Sequence, residues 1–275
     1  MGNNLFDRYL KFVIRNRDKN KDIFKRQLFD DNGEFFMLIK QYNQNKEQIF
    51  KRNIAYLELL KQQYEEIGKK VYPIDVKTES RVLCDTSSPF LWIPDEIGIA
   101  WDPILDTPII PSSEIKGAIS AVIQFEKGEK LRNVLFGGET GCRDLQTIKS
   151  IIDFTDAYPI SSDSEILERD VMTPIYAKEI EEHKVSPTPV KFYVIKPGVV
   201  FRFLLLVDQL CLERILMSEC ITSILATSNV GFSRDLNQMI QTLVTFLRTF
   251  IKNAFGLWGI GTKTSSGYGI FRVMT

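Results

Sequence analysis

Between Phe35 and Ile67 the apolar residues Phe35, Leu38, Ile39, Tyr42, Ile49, Phe50, Ile54, Leu57, Leu60, Tyr64 and Ile67 recur at three- and four-residue spacing, and no proline occurs before Pro73. That period belongs to an amphipathic helix and excludes a β-sandwich start. A second helical stretch is expected from Leu5 to about Phe29, separated from the first by Asp30-Asp31-Asn32-Gly33, a breaker cluster. Gly68 and Pro73 are expected to end the helices. Residues 1–75 therefore read as an N-terminal helical region.

After residue 75 the texture changes to short β-type runs punctuated by prolines. A strand is expected at Arg81–Cys84, then an irregular excursion over about 86–112. A helix follows from Ser112 or Ser113, one of which should cap it, to about Phe125, with Gly128 as its end. Further expectations are a strand at Ser150–Ala157, a polar insertion at about 160–189, and a hairpin of Val190–Ile195 with Val199–Val207 around Lys196-Pro197-Gly198. Helices at Leu210–Thr227 and Asp235–Phe255 precede a last strand at Tyr268–Val273. The order strand, helix, strand, strand, helix, strand predicts an α+β, ferredoxin-like (RRM-like, βαββαβ) domain over 76–275. Its antiparallel sheet should carry helices on one face and leave the other as a platform for single-stranded RNA.

Composition narrows the function. The chain of 275 residues has 35 basic and 35 acidic residues, so it does not coat nucleic acid by bulk charge. The charges are segregated: 15 basic against 10 acidic in residues 1–70, 10 against 19 in 71–180, and 10 against 6 in 181–275. Such a pattern suits one face for a polyanion and another for protein neighbours. No apolar run reaches the roughly 18 residues a membrane span needs. The opening MGNNLFDRYLKFV lacks a signal-peptide layout, so a cytoplasmic location is expected. The four cysteines, Cys84, Cys142, Cys211 and Cys220, form no C-x-x-C pair and are expected to be reduced.

Five glycines fall within Gly256–Gly269, together with Thr262, Lys263, Thr264, Ser265 and Ser266. Gly259, Gly261 and Gly267 would let a backbone approach a ligand, and successive amides could form an anion nest. One reading is a structural turn. A nucleotide P-loop is a second, disfavoured because Thr262 stands where lysine is needed and because the segment enters a strand instead of opening a helix. The third is a cradle for RNA phosphates, with Lys263 as its cation and Tyr268 beside it. Lys116, near a helix start behind Ser112 and Ser113, is expected as a phosphate contact beside that loop.

The run GIGTKTSSGYGIF (259–271) resembles the C-terminal glycine-rich signature of the RAMP superfamily of CRISPR proteins. PIIPSSEIKGA (108–118), LFGG (135–138) and DFTDAYP (153–159) are similar to further elements of that superfamily. RDVMTP (169–174), PTPVKF (187–192) and NLFDRY (4–9) are most similar to the subunit family at the head of type III-B effector complexes. The sequence departs at Ser112, where the family has glycine, and at Ile175, where histidine is common. The resemblance implies a non-catalytic, RNA-binding capping subunit that holds the 3′ region of a guide RNA in a complex that recognises and cleaves target RNA. It implies guide and target RNA, backbone subunits, small helical subunits and the first subunit as partners. The insertion at 160–189 would then be a thumb-like element, with Met172, Ile175 and Tyr176 as apolar contacts to a base.

The alternative is a guide-processing endoribonuclease. General acid–base cleavage would draw on His183, the single histidine, with Lys116, Lys263 and Tyr268. Asp95, Asp102, Asp106, Asp153 and Asp156 are read as solvated loop or strand acids, not a metal cluster. No catalytic residue, metal or cofactor is expected.

Overall fold

The computed structural model describes residues 4–16, 30, 33–87, 90, 97–172, 189–231, 233 and 235–274. Three helices open the chain: α1 (Leu5–Asn16), α2 (Glu34–Gln44) and α3 (Lys46–Glu66). The continuous helix expected over 34–67 breaks at Asn45, whose amide turns back to the Gln41 and Tyr42 carbonyls. Asparagine at 45 is a residue type that favours such breaks over a helix interior. The buried Asn43 accepts from the Ile166 and Leu167 amides and donates to the Leu167 carbonyl at 3.0 Å, which anchors the corner to the domain behind it. The expected extension of the first helix over 17–29 lies outside the described residues.

The main sheet is built on two ten-residue strands, β1 (Lys69–Thr78) and β6 (Val199–Asp208). They pair antiparallel from Lys69↔Asp208 to Lys77↔Val200. β7 (Phe271–Val273) adds to the other edge of β1, while β2 (Ile152–Phe154) and β3 (Tyr158–Ser162) line the other edge of β6. The order is β7-β1-β6-β2, antiparallel throughout. Two helices, α4 (Ser112–Lys127) and α5 (Glu129–Phe136), separate β1 from β2. Three more, α6 (Gln209–Leu216), α7 (Glu219–Thr227) and α8 (Leu236–Asn253), separate β6 from β7.

The first strand therefore starts at Lys69, not Arg81, and the expected boundary at residue 75 falls inside it. Pro73 does not end the strand because of where its backbone points. The Asp75 carbonyl accepts from Met274 on the β7 side at 2.8 Å, so residue 73, two along, faces that same edge. β7 reaches only Val76 to Thr78, leaving Pro73 no ladder bond to lose. The segment 81–84 makes a single bridge, Val82↔Ile195.

The expected hairpin around Pro197 is also corrected. β5 (Val190–Ile195) pairs with β4 (Leu167–Met172) in a separate two-stranded sheet, and β6 crosses into the main sheet. Thr78 holds the switch: its hydroxyl donates to the Lys196 carbonyl at 2.9 Å and accepts the Val199 amide at 2.9 Å.

Both faces of the sheet are covered. Ile74, Val76, Phe201, Phe203 and Leu205 join Ile115 and Ile119 of α4 and Leu243 and Leu247 of α8 in the principal core, which also takes in Leu5, Tyr9, Phe12 and Phe35. On the opposite face Leu57 of α3 packs with Val71, Tyr158, Leu204 and Leu206. The open RNA platform expected from strand order is thus occupied by the N-terminal helical region. Burying these apolar side chains is worth roughly 1.5–3 kcal/mol each, which is why the helices settle there. On the same face Arg202 is bidentate on Asp75 at 2.6 and 2.8 Å.

Cys142 and Cys220 form a disulfide across 78 residues, correcting the reading of all four cysteines as reduced. The packing of α5 on α7 brings the two together, a long-range consequence that spacing does not reveal. Cys84 and Cys211 are free. Among the described residues, no helix is long and apolar enough to cross a membrane.

Candidate nucleic-acid interface

The glycine-rich segment leaves α8 through a wide turn at Ala254–Trp258 and folds back on itself before β7. Two glycines are dictated by backbone contact. A Cβ at Gly261 would stand 2.4 Å from the Leu83 carbonyl oxygen, and one at Gly269 would stand 2.1 Å from that of Ile260. At these points the loop is bonded to segment 81–83. The amide of Thr262 donates to Leu83 and that of Gly269 to Arg81, both at 2.8 Å, and Ile260 donates to Gly269 at 2.8 Å.

Gly259 and Gly261, expected to admit a ligand's close approach, admit the protein's own chain instead. A Cβ at Gly259 would stand 2.9 Å from the Thr264 methyl carbon and 3.2 Å from the Gly269 carbonyl oxygen. The space beside Gly259 is thus filled by the returning arm of the loop, and that beside Gly261 by Leu83. Thr262 is tied down with them: its hydroxyl as well as its amide bonds the Leu83 carbonyl. All three are packing positions of the loop. Gly267 differs, because a Cβ there would meet nothing within 4 Å.

This pairing changes the chemistry available. The amides of Ser266, Gly267 and Tyr268 donate to the Lys263 and Thr264 carbonyls, and Ile270 donates to the Ser80 hydroxyl. Five consecutive amides, 266–270, are therefore engaged inside the protein and form no anion nest. What the loop presents is side chains: Ser265 and Ser266 are exposed, with Lys263 and Thr264 half-buried beside them.

Lys263 sits in the left-handed region at φ 61°. Its ammonium lies 2.7 Å from the Met172 sulfur and 4.6 Å from the centre of the Phe192 ring, a cation–π arrangement. Burial holds its pKa below the usual lysine range, against the opposing pull of Asp170. Tyr268 donates to the Asp170 carboxylate. Burial, reinforced by that carboxylate, pushes the Tyr268 phenol up to about 12. Arg81 completes the group, 2.8 Å from Glu168 and 3.4 Å from Asp170. The loop is thus docked on the β4–β5 hairpin. Lys263, Tyr268 and Met172 come together on the hairpin, and Ile175, Tyr176 and His183 lie outside the described residues.

The start of α4 meets the expectation only in part. Pro111 is the N-cap residue, and neither Ser112 nor Ser113 caps the helix with its side chain. The Ser112 amide donates to Asp156 at 2.7 Å instead. Glu114 accepts the Asp85 amide at 2.8 Å, so α4 and the glycine-rich loop grip the same short segment, 83–85, from two sides. Lys116 does not join the loop. Its ammonium is 2.9 Å from Asp153 and 3.0 Å from the Ser150 hydroxyl, because its turn of α4 faces the β2 side.

The acids have structural partners. Asp106 accepts the first two amides of α1, from Leu5 at 2.7 Å and Phe6 at 3.0 Å. Asp102 accepts the Tyr158 hydroxyl at 3.0 Å. Among the described residues, Cys142, Asp144 and Cys220 are the group with metal-ligand spacing, and both sulfurs are in the disulfide. Arg81, Glu168, Asp170 and Phe192 were not singled out from the sequence. Asp170 lies within the RDVMTP motif, which was the available signal.

Comparison with known proteins matches this fold. The sequence profile of the RAMP superfamily covers residues 83–272, a span that runs from the strand-like segment under the loop to β7. The chain is 28% identical over 209 residues to the CRISPR system CMR subunit Cmr6 of Saccharolobus solfataricus, covering 74% of this chain and 68% of that protein. It superposes at a TM-score of 0.60 and 22% identity on a chain of the type III-B Cmr-beta complex bound to cognate target RNA, covering 98% of this chain and 87% of the other. Cmr6 from Pyrococcus furiosus aligns at a TM-score of 0.42 and 17% identity, over 75% of this chain and 99% of that one. With its profile matching from Leu83 through the glycine-rich loop to Arg272, the chain belongs to the RAMP superfamily.

Proposed function

We propose that this chain is a non-catalytic, RNA-binding capping subunit of a type III-B CRISPR ribonucleoprotein that holds the 3′ region of the guide. The observation that carries the proposal is the 28% identity to subunit Cmr6 over 74% of the chain. Its partners are the guide and target RNA, the backbone and small helical subunits and the first subunit. β1-α4-β2 and β6-α8-β7 constitute its ferredoxin-like core, a reading supported by the β7-β1-β6-β2 order. The β4–β5 hairpin is the base of the thumb, supported by its separate sheet.

The phosphate contacts fall to the loop's side chains, since its amides from 266 to 270 are internally bonded. Lys263 meets the hairpin at Met172 and Phe192, and the exposed Ser265 and Ser266 follow it in the loop. Contacts of this kind position a backbone without reading its sequence, and their affinity falls with salt. The test is competitive guide retention at moderate salt by the assembled complex carrying Lys263→Ala together with Ser265→Ala and Ser266→Ala. Loss of retention across unrelated spacers is expected; unchanged retention overturns this role for the loop.

A further inference from the structure

The turn that follows α5 is closed on itself. Gly138–Glu139 pairs with Thr147–Ile148, and Thr140 pins the chain between them. Its amide donates to the Gln146 carbonyl at 2.9 Å and its hydroxyl to the Leu145 carbonyl at 2.6 Å. That hydroxyl also accepts the Cys142 amide at 3.1 Å. Cys142 and Asp144 therefore sit on one locally bonded turn. Cys220 meets them from the first turn of α7, whose start is fixed by the Ser218 hydroxyl, which accepts the Ile221 amide at 3.2 Å. None of these bonds involves the disulfide, and α5 packs on α7, so the two sulfurs stay neighbours when the S–S bond is broken.

The ligand atoms of Cys142, Asp144 and Cys220 all lie within 4.8 Å of one another. Atoms bound to one zinc ion at about 2.0–2.3 Å stand within about 4.6 Å of one another, so side-chain rotation alone brings the three together. Thiolate is the form that binds metal, and Cys220 lies at the amide end of α7, where negative charge is favoured. Two thiolates and a carboxylate suit zinc, whereas calcium and magnesium take oxygen ligands. Cys142 is buried, while Cys220 and Asp144 are exposed. One side is thus open to water as a fourth ligand and to a reductant at Cys220. The sequence neighbours Arg143 and Glu219 are both exposed and opposite in charge.

We propose that Cys142, Cys220 and Asp144 form a redox-gated zinc site, closed as the disulfide and open as the dithiol. A phosphine opens it: the S–S bond breaks, the sulfurs take up two electrons, and water supplies their two protons and the oxygen of the phosphine oxide. A dithiol gives the same two thiols and is itself oxidised to a disulfide. Zinc then displaces both thiol protons and binds the two sulfurs and a carboxylate oxygen. The ion replaces the disulfide as the link across the same 78 residues. This site is independent of the RNA-binding reading.

The experiment uses the full chain, oxidised or phosphine-reduced under nitrogen, titrated with cobalt(II) as a spectroscopic probe and zinc(II) as competitor. The reduced chain is expected to show thiolate-to-cobalt charge-transfer absorption that saturates at one metal per chain and is bleached by zinc, and the oxidised chain to show none. Zinc should also return part of the denaturant midpoint that reduction removes. Cys220→Ser should abolish the absorption, Asp144→Asn should weaken cobalt binding at least tenfold, and Cys211→Ser should leave it within twofold of the parent. Parent and variants are compared in the reduced state, where all lack the disulfide, so a difference in metal binding is not a difference in cross-linking. No saturable absorption in the reduced parent, equal absorption in the oxidised chain, or its survival in Cys220→Ser overturns the site. Loss in Cys211→Ser overturns it in favour of a different thiol. Binding by Asp144→Asn within twofold of the parent overturns the carboxylate ligand and with it the three-ligand site.

Discussion

Two alanine substitutions in one loop separate what its glycines do. Gly267 and Gly269 both have positive φ, 84° and 73°. An added Cβ at Gly267 meets nothing within 4 Å, whereas at Gly269 it stands 2.1 Å from the Ile260 carbonyl oxygen. Gly267→Ala therefore carries only the left-handed backbone cost, about 1–2 kcal/mol. Gly269→Ala carries the same cost and must also push Ile260 away. That breaks the bond from Ile260 to Gly269 and misaligns the one from Gly269 to Arg81, both 2.8 Å long. Each buried bond left unmade costs about 1–3 kcal/mol, so the total is about 3–8 kcal/mol. At roughly 2 °C per kcal/mol for a chain of this size, Gly267→Ala should lower the thermal midpoint by about 2–4 °C and Gly269→Ala by about 6–16 °C. Calorimetry on the purified chain reads both. Equal shifts, or a larger one at Gly267, would refute the claim that loop pairing with segment 81–83 dictates these glycines.

Further expectations follow from particular contacts. Asp106→Ala removes both acceptors at the start of α1; at about 1.5–3 kcal/mol for a hydrogen bond to a charged group, the α1 amides should lose most of their protection in hydrogen exchange. Tyr268, with its phenol raised to about 12, favours the fold in its neutral form. Its contribution is complete below about 10, the ordinary tyrosine value, and is lost as pH rises through 12, so Tyr268→Phe should flatten the fall in stability over that window. Lys263→Met removes a charge that burial disfavours, so it should leave the thermal midpoint unchanged or raised while weakening guide retention. Reducing the Cys142–Cys220 disulfide, which closes 78 residues, should cost up to about 4.5 kcal/mol by loop-closure entropy, read as a lower denaturant midpoint in the presence of a phosphine reductant.

The helices were legible because their period is local. Phe35, Ile39, Tyr42, Ile49, Phe50 and Leu57 are buried as the spacing required, whereas Ile54 and Ile67 of the same pattern are exposed. The strands were less so. Pro73 and the Lys196-Pro197-Gly198 turn both carry a local meaning that tertiary structure overrides: the first faces an unpaired edge, and the second feeds two sheets instead of a hairpin. The glycine-rich loop stood out by composition, yet whether its amides were free depended on Arg81 and Leu83, some 180 residues away. A glycine such as Gly259 reads the same in sequence whether a ligand or the chain itself fills the space beside it, and here Thr264 and Gly269 fill it. Lys116 read as a phosphate ligand from its position near a helix start. Its partner Asp153 comes from a strand that only the fold brings alongside. The open sheet face was inferred from strand order alone, and strand order says nothing of where an N-terminal helix such as α3 will lie.

The central claim is that this chain is an RNA-holding subunit of a type III-B effector. Affinity purification of the tagged full chain from its native host, with sequencing of the bound RNA and mass spectrometry of the bound proteins, tests it most directly. Short RNAs that begin in repeat and continue into spacer, arriving with several other RAMP proteins, are the predicted result. Recovery of the chain alone, or with unprocessed repeat transcripts only, would contradict it.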